Sequence, residues 1–292
     1  MEYKSRLQGY SLELNDVQIN DLADAARNDV EENLTEENLK TCFSCLDLTS
    51  LSCIDSIESI TEFASKVALF KNNFKQVPSV ASICVFPNFV DVVGLALGNS
   101  TVAITSVSAG FPTSQTFLEV KMLETAMAVE SGADEVDIVM NLGGFLSGDF
   151  DCTASEIEMI KDEVGEDVTL KVILETGELK DADKIYQASI LAMLSGADFI
   201  KTSTGKTPVS ATPFAAVVMC QAIKDFYSAT DRKVGIKIAG GVKTSQDAVT
   251  YYSIVKMLLG EDWLNPSLFR IGASSLANSL LSDISGESVS YF

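Results

Sequence analysis

Eight short apolar runs, each followed by a longer stretch with helical spacing, set the tightest limit on what this chain can fold into. The runs are CFSCLDL (42–48), SICVF (82–86), TVAITSVS (101–108), EVDIVM (135–140), TLKVILE (169–175), DFIKT (198–202), VGIKIAG (234–240) and LFRIG (268–272). Helices are predicted near 56–71, 88–97, 115–130, 153–164, 180–194, 212–227, 245–258 and 274–283. In FLEVKMLETAMAVESGA, for example, apolar positions recur at three- and four-residue spacing until Gly132 ends the helix. Strict alternation forces parallel strands with right-handed crossovers, and short, nearly all-apolar strands suit a sheet covered by helices. Eight such units in about 250 residues is the size at which the sheet closes on itself. The expected fold is therefore α/β, a (β/α)8 TIM barrel with a short N-terminal helical extension. A doubly wound open sheet would normally carry a glycine-rich turn after its first strand, and LDLTSLSCIDS contains no glycine.

The expected boundaries are an acidic helical extension over 1–40, the barrel over 41–285 and a tail over 286–292. NDVEENLTEENLK has a helical pattern with a cap at Thr35, and the extension is expected to be a solvated segment covering one end of the domain. A formal charge of -20 would repel nucleic acid. No 18-residue apolar run is present and MEYKSRLQGYSLELND lacks the basic-then-apolar layout of a signal peptide, so a soluble, cytoplasmic protein without a membrane partner is expected. Cys42 and Cys45 have the spacing of a metal half-site, but there is no histidine and no second such pair, so apolar packing of reduced thiols is the better account and no metal is expected.

In a barrel of this kind chemistry collects at the C-terminal ends of the strands, which makes ionisable residues within the apolar runs informative. They are Asp47, Asp137, Lys171, Glu175, Lys201 and Lys237. Lys201 ends the buried run of ADFIKTSTGK, and Lys237 lies on the next strand. Two ammonium groups close together in a desolvated site disfavour each other's charge, and the neutral amine so produced attacks carbonyls to give a Schiff base. The competing reading is structural, with a lysine paired to Asp137 or Glu175 inside the barrel. For Lys171 a layer-filling ion pair is a serious rival.

TSTGK supplies hydroxyls, Gly205 and Lys206, IAGGVKTS supplies Gly240 and Gly241, and IGASS supplies Gly272 with Ser274 and Ser275. Backbone amides at glycine turns and helix N-termini bind phosphate, and barrels often place that site after strands seven and eight. Lys206 and Lys243 are local cations suited to a phosphorylated ligand in an otherwise acidic chain.

The segments LDLTSL, SICVFP, GADEVDIVMN, LKVILETGEL, GADFIKTSTGK, GIKIAGGVKT and FRIGASSL, in this order and spacing from about Leu46 to Leu281, resemble the 2-deoxyribose-5-phosphate aldolase family of class I aldolases. The resemblance implies reversible cleavage of 2-deoxy-D-ribose 5-phosphate to D-glyceraldehyde 3-phosphate and acetaldehyde, in deoxyribonucleoside catabolism and without a cofactor. It implies that Lys201 forms the Schiff base, Lys237 tunes it and Asp137 helps to move protons. Asp47, Thr49 and Thr204 would hold hydroxyls or order the proton network, Cys84 would line the pocket, and Lys206, Gly240, Gly241, Ser274 and Ser275 would meet the phosphate. The chain departs from the family's frequent residues at Ser114, Ile238 and Lys243. Some members carry a mobile C-terminal tyrosine that reaches the active site, whereas Tyr291 here is expected to lie in an untethered tail. The partner expected is a small phosphorylated sugar; a homodimer is compatible with the sequence, and no other protein partner is indicated. An aldolase for another sugar phosphate, or a low-activity paralogue serving as a protein-binding scaffold, are the alternatives.

Overall fold

The computed structural model describes residues 2–292. Eight parallel strands close into one barrel in sequence order: β1 (Leu46–Thr49), β2 (Ser82–Val85), β3 (Ala103–Ser108), β4 (Glu135–Val139), β5 (Thr169–Ile173), β6 (Phe199–Lys201), β7 (Gly235–Ala239) and β8 (Phe269–Ala273). Closure is made by β8 against β1, where Asp47 is opposite Gly272. The TIM barrel predicted from the alternation is the observed fold.

Four helices precede β1: α1 (Glu2–Leu7), α2 (Asp16–Asn28), α3 (Val30–Asn33) and α4 (Glu36–Ser44). The helical ring that follows consists of α5 (Ile57–Asn73), α6 (Val90–Leu97), α7 (Leu118–Glu130), then α8 (Leu142–Leu146) and α9 (Phe150–Val164). It continues with α10 (Thr176–Leu179), α11 (Ala182–Leu194), α12 (Pro213–Thr230), α13 (Ser245–Leu259) and α14 (Leu276–Ser285). The short helices α8 and α10 lie in strand-to-helix connections and have no counterpart in the sequence pattern. Strand side chains on the outer face of the barrel bury a continuous apolar layer against the helices, including Leu48, Ile83, Val136, Val172, Ile236 and Ile271.

The first apolar run is shorter as a strand than its composition suggests. Cys42, Phe43 and Ser44 complete α4, whose start is fixed by the Thr35 hydroxyl accepting the Asn38 N–H at 3.3 Å. Leu39, Cys42 and Phe43 share one buried helical face, and Phe43 stacks on Phe70 with ring centroids 5.1 Å apart. Tertiary packing thus overrides the strand propensity of CFSC.

The N-terminal extension differs from expectation. It is wrapped around the outside of the helical ring instead of lying as a solvated cover on one end: α1 packs on α9 and α11, α2 on α12 and α13, and α4 on α13 and α14. Ile19, Ala26 and Phe43 are fully buried by this packing. The C-terminal tail is likewise tethered. Asn278 Oδ1 accepts the Tyr291 and Phe292 N–H groups at 2.9 and 3.0 Å, the Tyr291 hydroxyl donates to the Lys66 carbonyl at 2.8 Å, and both rings pack on Phe70.

Candidate active site

Inside the barrel the strand period of two brings charged side chains into one buried cluster. Asp47, Asp137, Lys171 and Lys237 are fully buried, and Glu135, Lys201 and Arg270 nearly so. Gly272 helps to make room, since a Cβ there would stand 3.1 Å from Lys237 Cε. Lys201 and Lys237 are direct cross-strand neighbours on β6 and β7. Both ammonium groups donate to Asp137 Oδ2, each at 2.7 Å. The other carboxylate oxygen, Asp137 Oδ1, accepts from Lys171 at 3.1 Å.

These neighbours set the two lysines apart. Burial disfavours the Lys201 ammonium and Lys237 adds to that against the pull of Asp137, so Lys201 holds its proton less tightly than an ordinary lysine. Burial also acts against charge on Lys237, but Asp137 and Asp47 outweigh it and keep that ammonium protonated far above the usual lysine range. Burial works against the charged form of Asp137 too, and is overcome by Lys171, Lys201 and Lys237, which hold its carboxyl well below the ordinary value. Lys237 thus acts against the Lys201 charge, with desolvation as the larger cause, whereas the carboxylates around Lys237 dominate its own proton affinity.

Lys201 alone of the interior lysines also reaches a cavity of about 450 Å³ at the C-terminal end of the barrel, together with Thr49, Thr204, Gly205, Lys206, Lys243 and Ser274. Gly240, Gly241 and Ser275 complete its far side. Gly240 and Gly241 both have φ of +85°, a left-handed conformation that glycine adopts without strain. A Cβ on Gly240 would also stand 2.5 Å from Ser210, whereas one on Gly241 would meet open space. Ser275 precedes the first turn of α14 and makes no side-chain cap, leaving the N–H groups of that turn without a serine partner. The β6–α12 loop is held by Glu175, which accepts the Thr204 hydroxyl at 2.5 Å and the Thr207 hydroxyl at 3.2 Å. Lys206 Nζ spans the cavity edge to donate to the Leu51 carbonyl at 2.5 Å.

The profile described as DeoC/LacD family aldolase matches residues 49–280 of this chain. The chain belongs to the DeoC/LacD aldolase family. It is 40% identical over 269 residues to the deoxyribose-phosphate aldolase of Homo sapiens, covering 89% of this chain and 83% of that protein. It is also 40% identical over 261 residues to the deoxyribose-phosphate aldolase of Bos taurus, covering 86% and 82%. Among solved structures, "QR15, an Aldolase" superposes with a TM-score of 0.65 at 27% identity, over 82% of this chain and 96% of that one.

Within this DeoC/LacD chain, most of the residues selected from sequence fall into two sets, with Cys84 and Glu175 in neither. Thr49, Lys201, Thr204, Lys206, Gly240, Gly241, Ser274 and Ser275 line the cavity, while Asp137 and Lys237 lie in the charged cluster behind Lys201. Asp47 belongs to that cluster and not to the cavity wall: its Oδ2 is 2.5 Å from Lys237 Nζ and its Oδ1 accepts from Arg270 at 2.6 Å. Cys84 is also off the wall, fully buried against Leu51 and Val107, because the inward-facing end of β2 is covered by those side chains. Glu175 pairs with the Thr204 loop and with no lysine, since its left-handed backbone (φ 49°) turns it out of the β5 ladder. Lys171 is an ion-paired interior residue, 2.6 Å from Glu135.

Glu135 and Arg270 were missed by sequence reasoning in this family member, although the signal was present. Each is a charge inside an apolar run, and Glu135 shares the inward phase of Asp137 two residues on. Among the described residues, no group of three His, Cys, Asp or Glu side chains is placed to hold a metal ion, and no helix is long and apolar enough to cross a membrane.

Proposed function

We propose that this chain is a class I, Schiff-base aldolase that reversibly cleaves 2-deoxy-D-ribose 5-phosphate to D-glyceraldehyde 3-phosphate and acetaldehyde, a cytoplasmic step in deoxyribonucleoside catabolism. The observation that carries the reading is that Lys201 faces the cavity with a weakened hold on its proton while its neighbour Lys237 stays charged. Family membership and the names of the human and bovine relatives support the substrate.

In this reading the Lys201 amine attacks the C1 aldehyde of the open-chain sugar, and loss of water leaves a protonated imine. The C3 hydroxyl gives up its proton, the C2–C3 bond breaks, and its electron pair flows into the imine to form an enamine as glyceraldehyde 3-phosphate departs. Protonation of the enamine at C2 and addition of water release acetaldehyde and restore the amine. Asp137 contacts the reacting nitrogen and Lys237 donates to the same Asp137 oxygen, which suits the pair to pass protons there. Asp47 fixes Lys237 from behind. Thr49 and Thr204 face substrate hydroxyls, Lys206 supplies positive charge, and Gly240, Gly241, Ser274 and Ser275 offer backbone amides and hydroxyls to the phosphate.

The reading is tested by borohydride reduction in the presence of acetaldehyde, followed by peptide mapping. A reduced adduct on the peptide carrying Lys201, absent in Lys201→Arg, is expected. No adduct together with cleavage surviving in Lys201→Arg would reject it.

A further inference from the structure

The seven charged groups in the barrel interior form a closed circuit with one member left over. Arg270 Nη2 donates to Glu135 Oε1 at 2.6 Å. Glu135 Oε2 accepts from Lys171 at 2.6 Å, and Lys171 also donates to Asp137 Oδ1 at 3.1 Å. Asp137 Oδ2 accepts from Lys237 at 2.7 Å, and Lys237 Nζ stands 2.5 Å from Asp47 Oδ2. Arg270 Nη1 donates to Asp47 Oδ1 at 2.6 Å, which returns the path to its start. Three cations alternate with three carboxylates, so the circuit is neutral by itself. Lys201 hangs from it at Asp137 and has no carboxylate of its own.

We infer that Arg270 and Glu135, which touch neither Lys201 nor the cavity, are positioning residues that set the proton affinity of the reacting amine by keeping this circuit neutral. A charged Lys201 would make the buried cluster net positive, and in a desolvated barrel such an excess is costly. The neutral amine removes that excess, in agreement with the direction of its shift. Arg270 suits the far side of the circuit because its fork reaches two carboxylates at once and stays protonated, while the Phe199 ring lies 5.7 Å from its guanidinium carbon. Thr105 braces Glu135 at 2.6 Å. The other groups around Lys201 are Cys84 on β2, Lys171 on β5, which shares Asp137 with it, and, along the cavity wall, Lys206 and Lys243. None of them supplies a further carboxylate, and Glu175 is engaged by Thr204.

The inference deepens the proposed imine chemistry, and it predicts shifts of opposite sign from two substitutions at the same level of the barrel. Arg270→Met leaves the circuit with a surplus negative charge, which favours the Lys201 ammonium and moves its titration to higher pH. Glu135→Gln, nearly isosteric, leaves a surplus positive charge and moves it to lower pH. The double variant restores neutrality and returns the titration toward that of the parent. Shifts on the order of one pH unit are expected from a lost or gained partner in so desolvated a cluster. The experiment is NMR titration of the full-length protein labelled with 13Cε-lysine, with the Lys201 resonance assigned through Lys201→Arg, alongside the acid limb of kcat/KM for 2-deoxy-D-ribose 5-phosphate cleavage. The NMR reading follows Lys201 whether or not an imine forms, so failure of the charge balance and failure of the imine reading are separate results. Opposite shifts support the inference. Shifts of the same sign, no shift, or a double variant that does not return would overturn it. If Arg270→Met does not fold, a downward shift in Glu135→Gln supports the inference and an unmoved or upward one overturns it.

Discussion

Lys201 and Lys237, paired across β6 and β7, donate to a single oxygen, Asp137 Oδ2, at the same distance of 2.7 Å. One carboxylate oxygen thus serves two ammonium groups, and only one of them reaches the cavity. Asp137→Asn should therefore harm both stability and chemistry. Breaking a buried ion pair from one side costs about 3–5 kcal/mol, and loss of an acid–base group about 100–10,000-fold in rate. Urea unfolding and steady-state cleavage assays measure the two effects, and a variant with parental stability would show that Lys171 and Lys237 do not depend on this carboxylate.

Acid should weaken the fold through the same residues. Asp47 and Asp137 both have folded-state proton affinities below the ordinary carboxylate value despite burial, because Lys237, Arg270 and Lys171 outweigh it at Asp47 and Lys171, Lys201 and Lys237 at Asp137. A depressed carboxyl contributes stability that is complete above its unfolded value and is lost as the pH falls below it, from about pH 4 downward. Unfolding free energies at pH 5 and pH 3 should differ less in Asp47→Asn than in the parent. An equal difference would remove Asp47 from the account.

Lys206 offers a test of phosphate recognition. Its ammonium crosses the cavity edge to the Leu51 carbonyl, where a phosphate could replace that acceptor. Lys206→Met should raise KM for the phosphorylated sugar by about 10–100-fold, the range of a lost charge-assisted hydrogen bond. Turnover of unphosphorylated 2-deoxy-D-ribose should change much less. A parallel loss on both substrates would point to a structural role in holding the loop.

The two adjacent glycines should respond differently to alanine. Both share φ of +85°, so each substitution carries backbone strain of about 1–3 kcal/mol. At Gly240 the new Cβ would in addition lie 2.5 Å from Ser210, while at Gly241 nothing stands within 4 Å. Gly240→Ala should show the larger fall in thermal stability and the larger rise in KM. Indistinguishable variants would mean that Ser210 yields freely.

Tyr291 is expected to act on stability alone. Its hydroxyl donates to the Lys66 carbonyl at 2.8 Å and its ring meets Phe70 on α5 and Phe74 just after that helix, on the outer helical ring. Tyr291→Phe should cost about 1 kcal/mol in unfolding free energy and leave kcat where it was. A selective fall in kcat would show that the tail leaves this position during turnover.

Much of the fold was legible because its signals are local. The alternation of apolar runs with helical spacing survives in every unit, and six of the eight strands fall within their predicted runs while β1 and β8 overrun theirs by one residue. Asp137, Lys201 and Lys237 could be selected as ionisable residues within apolar runs, and the same criterion applied throughout would have added Glu135 and Arg270. The same local signal misread Cys42 to Ser44 as strand, since the burial of Cys42 and Phe43 comes from other elements, Phe70 stacking on Phe43 among them, and can be satisfied by either backbone.

Sequence alone determined the barrel, most of its inward charges and the glycine-bearing loops at its C-terminal end, because periods of two and 3.6 residues are written into neighbouring positions. Tertiary structure alone decided which charges compensate one another. Arg270 and Asp47 meet only when β8 closes onto β1, and Glu135 takes the second arm of that fork from the opposite wall. Coulombic pairing depends on distances set by closure, and no local pattern encodes those distances.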